Sequence, residues 1–211
     1  MNIQPISISK PQQKSTVNFK SNIVKTQYMD DLLRECIIRP QGKTRILESL
    51  RKILMDGKNN LVKIDYHKKG LLARLIKGAY KITVNGQENM WNCTFAGSGI
   101  TVQGYNALQD VINHEEMASA KEISKTTYQV PKLIELRQKY QDTWKSYLWN
   151  DEEYSEKKSK LQRKNLEYLN WKYDVELQKE FIKLRQELFP ESPVINPPKP
   201  KIERFTDYDD D

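Results

Sequence analysis

Nine positions counted by sevens from Leu133 are all apolar or aromatic: Leu133, Tyr140, Tyr147, Tyr154, Leu161, Tyr168, Val175, Ile182 and Phe189. Only 37% of the chain is apolar, so an unbroken column of this length is a pattern rather than chance. A seven-residue apolar repeat lets helices bury one face against other helices. It predicts a helical segment over 128–189 and a surface made for protein contact. No motif for chemistry of comparable strength occurs elsewhere in the chain.

Two arrangements satisfy the column. Pro131 suits the first turn of a helix, and Pro190 stops one. Between them, Asn150 and Glu153 resemble a capping box. The run 151–160 has Tyr154 as its one apolar residue. These signals divide the segment into a helical hairpin with a turn near residue 150. The column itself suits a single rod of roughly 85–90 Å, at about 1.5 Å per residue. A straight helix drifts about 20° per heptad, so one column cannot face one partner over that length without supercoiling. The drift and the cap favour the hairpin.

Upstream, the period changes. Met29, Leu32, Leu33, Cys36 and Ile37 have helical spacing over 27–38, and Pro40 ends that run. Thr44 is placed to cap a second helix, whose stripe is Ile46, Leu47, Leu50, Ile53 and Leu54. Gly57 stands where a C-terminal glycine belongs. Val62, Ile64 and Tyr66 then alternate with polar residues, as do Tyr80, Ile82 and Val84. Asn85-Gly86 is the strongest short hairpin signal. A two-residue turn there pairs Val84 with Gln87, Ile82 with Asn89 and Tyr80 with Trp91. Cys93 and Phe95 then join Tyr80, Ile82 and Trp91 on one face. Residues 71–78 suit either a longer strand or a short helix. Leu108, Val111, Ile112 and Ala118 give a further helix.

The helix, three strands and helix across 44–120 resemble the double-stranded-RNA-binding domain. That family places a lysine cluster at the start of its last helix to hold phosphates. Here Thr101-Val102-Gln103-Gly104-Tyr105-Asn106 occupies the place. The resemblance lies in the order of elements and implies no binding residue.

Charge adds a second candidate surface. Residues 39–81 hold twelve Lys or Arg against three acids, a local balance of +9 within a net +7. Lys63, Lys68, Lys69, Arg74, Lys77 and Lys81 are the candidates for binding nucleic acid or another polyanion. Lys77 and Lys81 are expected to point away from the apolar face of the sheet. The bland alternative is a solvated lysine-rich surface.

Familiar sites fail on inspection. Gly42-Lys43-Thr44 lacks the earlier glycine of a phosphate loop, because Ile37 holds that position. Gly97-Ser98-Gly99 follows an antiparallel hairpin, where a dinucleotide fingerprint needs a parallel unit. His67 and His114 lack the partners of a zinc site, and serine has no nucleophile-elbow setting. Trp144, Trp149 and Trp171 are expected in a core or interface rather than stacked on bases. Pro197-Pro198-Lys199-Pro200 has the form of a docking motif, but a stiff spacer is its commoner meaning.

The sequence therefore predicts an α+β fold. A small antiparallel sheet of about three strands is flanked by helices and followed by a long aromatic-rich helical segment. The expected divisions are a flexible N-terminal arm (1–25), an α+β domain (26–122), the helical segment (128–189) and a proline-rich then acidic disordered tail (190–211). The expected role is non-enzymatic binding or scaffolding, through a protein partner or self-association. The helical interface is assigned to Tyr140, Trp144, Tyr147, Tyr154, Leu161, Tyr168 and Trp171. No cofactor or metal is expected. Two cysteines make no disulfide framework, no leader or membrane span is visible, and a cytoplasmic protein is the default.

Overall fold

The computed structural model describes residues 21–66, 80–89, 99–117, 130–148 and 156–202. Among them are five helices and a four-stranded mixed sheet, so the chain is α+β. The elements run β1 (Asn22–Ile23), α1 (Gln27–Ile38), α2 (Thr44–Leu54), β2 (Leu61–Tyr66), β3 (Tyr80–Val84), β4 (Gln87–Asn89), α3 (Ile100–Ile112), α4 (Pro131–Leu148) and α5 (Glu156–Leu188).

The sheet is built around the Asn85-Gly86 turn. Asn85 (φ 52°) and Gly86 (φ 86°) are both left-handed, as a type I′ turn requires. Val84 faces Gln87 and Ile82 faces Asn89, in the expected register. Trp91, Cys93 and Phe95 lie outside the described residues. Val62, Ile64, Tyr80, Ile82 and Val84 are buried on one face. The fourth strand comes from the end of the N-terminal arm: β1 pairs in parallel with β2. A buried polar network fixes it there. The Ser21 hydroxyl donates to Asp56 (3.1 Å), and the Asn60 amide donates to the same carboxylate oxygen (2.8 Å).

Helix α1 lies at the centre of the body. Thr26 caps it, accepting from the Met29 amide (3.1 Å) and donating to the Ile64 carbonyl. Its buried face packs on β2, α3 and α5. Gly104 of α3 makes that crossing close, since a Cβ there would sit 2.4 Å from a methyl of Leu32. Cys36 lies within this face as a free thiol, and burial pushes it up to about 12.

Two helix ends differ from expectation. The Lys43 amide bonds the Pro40 carbonyl (3.1 Å) around Gly42, whose φ is +69°. That tight turn needs a left-handed residue in its third place. It delivers Lys43 to the cap position, so Thr44 is the first helical residue and its hydroxyl pairs instead with the Tyr173 hydroxyl (2.9 Å). At the other end Met55 is the C-cap, and Asn59 rather than Gly57 is left-handed.

Helices α4 and α5 pack side by side as separate elements, and the turn proposed near 150 falls outside the described residues. The α4 seam is Leu133, Leu136, Tyr140, Thr143 and Tyr147, with the alternating three-and-four spacing of a helix pair. On α5, Leu166 and Leu169 are buried opposite it. Gln162 reaches the Ser146 hydroxyl (3.4 Å) near the outer end.

One group in the core works against stability. Tyr28 is fully buried between Tyr66 and Tyr80, and its hydroxyl has no hydrogen-bond partner among the described residues. Tyr66 and Tyr80 instead donate to Asp31 and Asp110. An unpaired buried hydroxyl forfeits its hydration for nothing, at about 1–3 kcal/mol. Tyr28→Phe is therefore expected to raise the melting temperature by about 2–4 °C per kcal/mol recovered. A clear fall in a thermal melt would show that the hydroxyl is satisfied.

Candidate protein-contact surface

Helix α5 has two unlike halves. From Tyr173 onward its side chains enter the body. Leu177, Phe181, Leu184 and Phe189 belong to the main core cluster. Before Tyr173 its buried residues are Leu166 and Leu169, which lie outside that cluster. The outer half therefore stands as an arm, supported by α4.

Two buried polar side chains hold the inner half. Arg185 is 3% exposed and pairs with Asp30 of α1, its Nη2 at 2.8 Å and its Nε at 3.2 Å from Oδ1. Gln178, 5% exposed, donates to the Ile37 carbonyl (2.9 Å). That carbonyl belongs to the last turn of α1 and has no acceptor role within its own helix. Gln178 thus finishes the end of α1 from outside. Arg51 of α2 adds an ion pair to Glu187.

The same residues hold the chain after α5. Arg185 Nη1 donates to the Pro193 carbonyl (2.9 Å), Gln178 Nε2 to that of Pro198 (3.1 Å), and Trp171 Nε1 to that of Pro200 (2.7 Å). The proline-rich stretch therefore runs back along α5 as a strap. Fourteen helical residues between the outermost donors span about 21 Å. Seven strap residues cover that distance at about 3 Å each, the rise of polyproline II. The boundary of the C-terminal arm thus falls later than the sequence places it. Residues 203–211 lie outside the described residues, as do 1–20.

The predicted interface residues separate onto different faces. Tyr140 and Tyr147 are half-buried along the seam, and Trp144 stacks beside Tyr147, 5.8 Å between ring centres. Leu161 and Tyr168 are not in the seam. At 100° per residue they lie about 110° and 130° round α5 from the midline between Leu166 and Leu169, and they are 68% and 47% exposed. The nine-position column therefore takes in two faces: its α4 members lie in the seam, while Leu161 and Tyr168 do not. On α5 its members become steadily more covered, from Leu161 to a buried Phe189. Trp171 serves the strap, and Tyr168 lies between its ring (5.8 Å) and the Lys172 ammonium (5.7 Å). Tyr154 lies outside the described residues.

Of the basic candidates, Lys63 and Lys81 are described. Both point away from the buried face, with Asp65, Thr83 and Glu88 on the same side through the pairs Lys63–Thr83, Asp65–Lys81 and Thr83–Glu88. Lys81 pairs with Glu88, and Lys63 lies 4.0 Å from Asp65. Lys68, Lys69, Arg74 and Lys77 fall outside the described residues. Other cations of the 39–81 segment serve the fold. Lys43 reaches the Glu35 and Arg39 carbonyls that end α1, and Lys58 donates to the Met117 carbonyl (2.7 Å).

Two adjoining cavities of about 330 and 520 Å³ lie where α2 meets α4 and α5, and both are lined by Thr44, Glu48, Arg137 and Tyr173. Arg45, Glu48, Arg137 and Asn170 give them a polar lining, which suits water or a peptide chain better than a dry apolar ligand. Among the described residues no helix is long and apolar enough to cross a membrane. Among the described residues α2, β2–β4 and α3 follow one another along the chain, with β1 beside β2, and residues 67–79 and 90–98 between them lie outside the described residues. The chain matches no protein-family model, no curated protein and no solved structure.

Gln178 and Arg185 were invisible to a search for apolar periodicity. The readable signal was polar: Trp171, Gln178 and Arg185 stand at intervals of seven, followed by five prolines. Removing one member of a buried ion pair strands the other, at about 3–5 kcal/mol. Asp30 keeps Arg34 as a partner at 3.0 Å, so Arg185→Met is expected to fall near the lower end. The midpoint of a denaturant titration checks this; a loss below about 1 kcal/mol would place the pair among weak surface bridges.

Proposed function

We propose that this chain is a non-enzymatic binding or scaffolding protein of the cytoplasm, whose helical hairpin is the contact surface for a protein partner. The observation that carries the reading is the bare outer half of α5. Leu161 and Tyr168 stay exposed outside the face of Leu166 and Leu169, while the inner half of the same helix buries Leu177, Phe181 and Leu184 in the core. Exposed large apolar residues on a projecting element are costly in water and mark interaction sites when they occur together.

Charge narrows the partner. Residues 156–164 include Lys157, Lys158, Lys160, Arg163 and Lys164 against Glu156. Exposed Lys160 and Lys164 neighbour Leu161 on α5, and an apolar stripe with cations beside it fits a partner with an apolar patch and carboxylates around it. The free, buried Cys36 thiol agrees with a reducing compartment.

Photo-crosslinkers at Leu161 and Tyr168 are expected to trap the same partner in cells. Lys183, on the inner half, is expected to trap none. The complex is expected to weaken several-fold between low and physiological salt, because exposed cations are screened within about 8–10 Å. Equal trapping from all three positions, or none from the arm, would contradict the reading. A covalent product of twice the chain mass would identify the partner as a second copy.

A further inference from the structure

Trp171, Gln178 and Arg185 share one edge of α5, and each meets a main-chain carbonyl: those of Pro200, Pro198 and Pro193. Their polar contacts therefore read the backbone of the strap and ignore its side chains. Outward-facing Val194 and Ile202 remain exposed, at 61% and 53%. What the edge selects is an extended chain that presents carbonyls at this spacing. Proline-rich segments meet that demand at low entropic expense, because they hold the polyproline II shape before binding. A buried Pro200 beside the Trp171 indole adds apolar contact at one end. An indole N–H and an apolar ring surface together form a general means of holding such segments.

We propose that this edge of α5, with the facing end of α1, is a binding site for proline-rich polyproline II segments. Residues 193–200 fill it in cis, and a proline-rich segment of another protein takes their place when the strap lifts away. The occupant is distinct from the arm's partner, and the site does not depend on Leu161 or Tyr168. The strap is tethered through Pro190–Ser192, so it competes at an effective concentration in the millimolar range. In the intact chain the site is therefore largely closed to outside peptides.

The test compares the intact chain with one ending at Pro190, using three synthetic peptides. The first has the sequence of residues 191–202. The second keeps its prolines and changes every other residue, and the third replaces the prolines. Calorimetric titration gives the affinities, and in chains that keep Trp171 its indole N–H resonance reports where the peptide sits. Both proline-containing peptides are expected to bind the shortened chain at least about tenfold more tightly than the intact one. The proline-free peptide is expected to bind at least about tenfold more weakly. Trp171→Phe in the shortened chain is expected to weaken both proline peptides. Equal binding to the shortened and intact chains, or equal binding of the proline-free peptide, would overturn the proposal. So would binding of the 191–202 sequence alone, which would make the strap a private brace. If the shortened chain does not fold, either proline peptide added in trans is expected to restore its helical circular dichroism, and failure to do so overturns the proposal. Exchange of straps between two intact copies would make the occupant a second copy and defeat it as well.

Discussion

The fold is organised by polar side chains that had to be buried. Arg185 carries a charge into the contact between α5 and α1, and such a charge is tolerable only when paired and hydrogen-bonded. Asp30 and the Pro193 carbonyl meet that need together. Gln178, two turns earlier, repeats the arrangement in neutral form, with one amide nitrogen shared between α1 and the strap. Apolar packing alone would let α5 slide along α1 at small expense. These two side chains fix its register, because a shift by one turn would part Arg185 from Asp30 and Gln178 from the Ile37 carbonyl.

The rest of the molecule follows from that register. With Phe181 and Leu184 in the core and Phe189 closing the end of α5, the outer part of the helix extends past the body. Helix α4 covers one side of it through Leu133, Leu136 and the tyrosines of the seam. The strap covers another side as far as Pro200. Leu161 and Tyr168 are left over, with cations around them. The result is a base held by Arg185 and Gln178, an arm supported on one side by α4, and exposed Leu161 and Tyr168 on its outer half.

Much of this was legible in the sequence, for identifiable reasons. Asn85-Gly86 set the β3–β4 register because only left-handed residues fit that turn. The stripe of α1 and Pro40 marked that helix within a residue. The heptad column announced helices, and its members on α4 and α5 lie on different faces, as a drift of about 20° per heptad requires. Thr44 resembled a cap, but the turn around Gly42 moved the helix start. The strap could not be read from hydropathy because its attachments use backbone carbonyls, which every residue carries. Periodicity finds what is greasy, and the decisive residues at 178 and 185 are not.

Amide hydrogen exchange along α5 tests the division of this helix most directly. Amides of 174–188 are expected to exchange only through global unfolding. Those of 160–168, supported by one neighbouring helix, are expected to exchange at least about a hundredfold faster. Uniform protection from end to end would contradict a helix bolted at its inner half and free at its outer one.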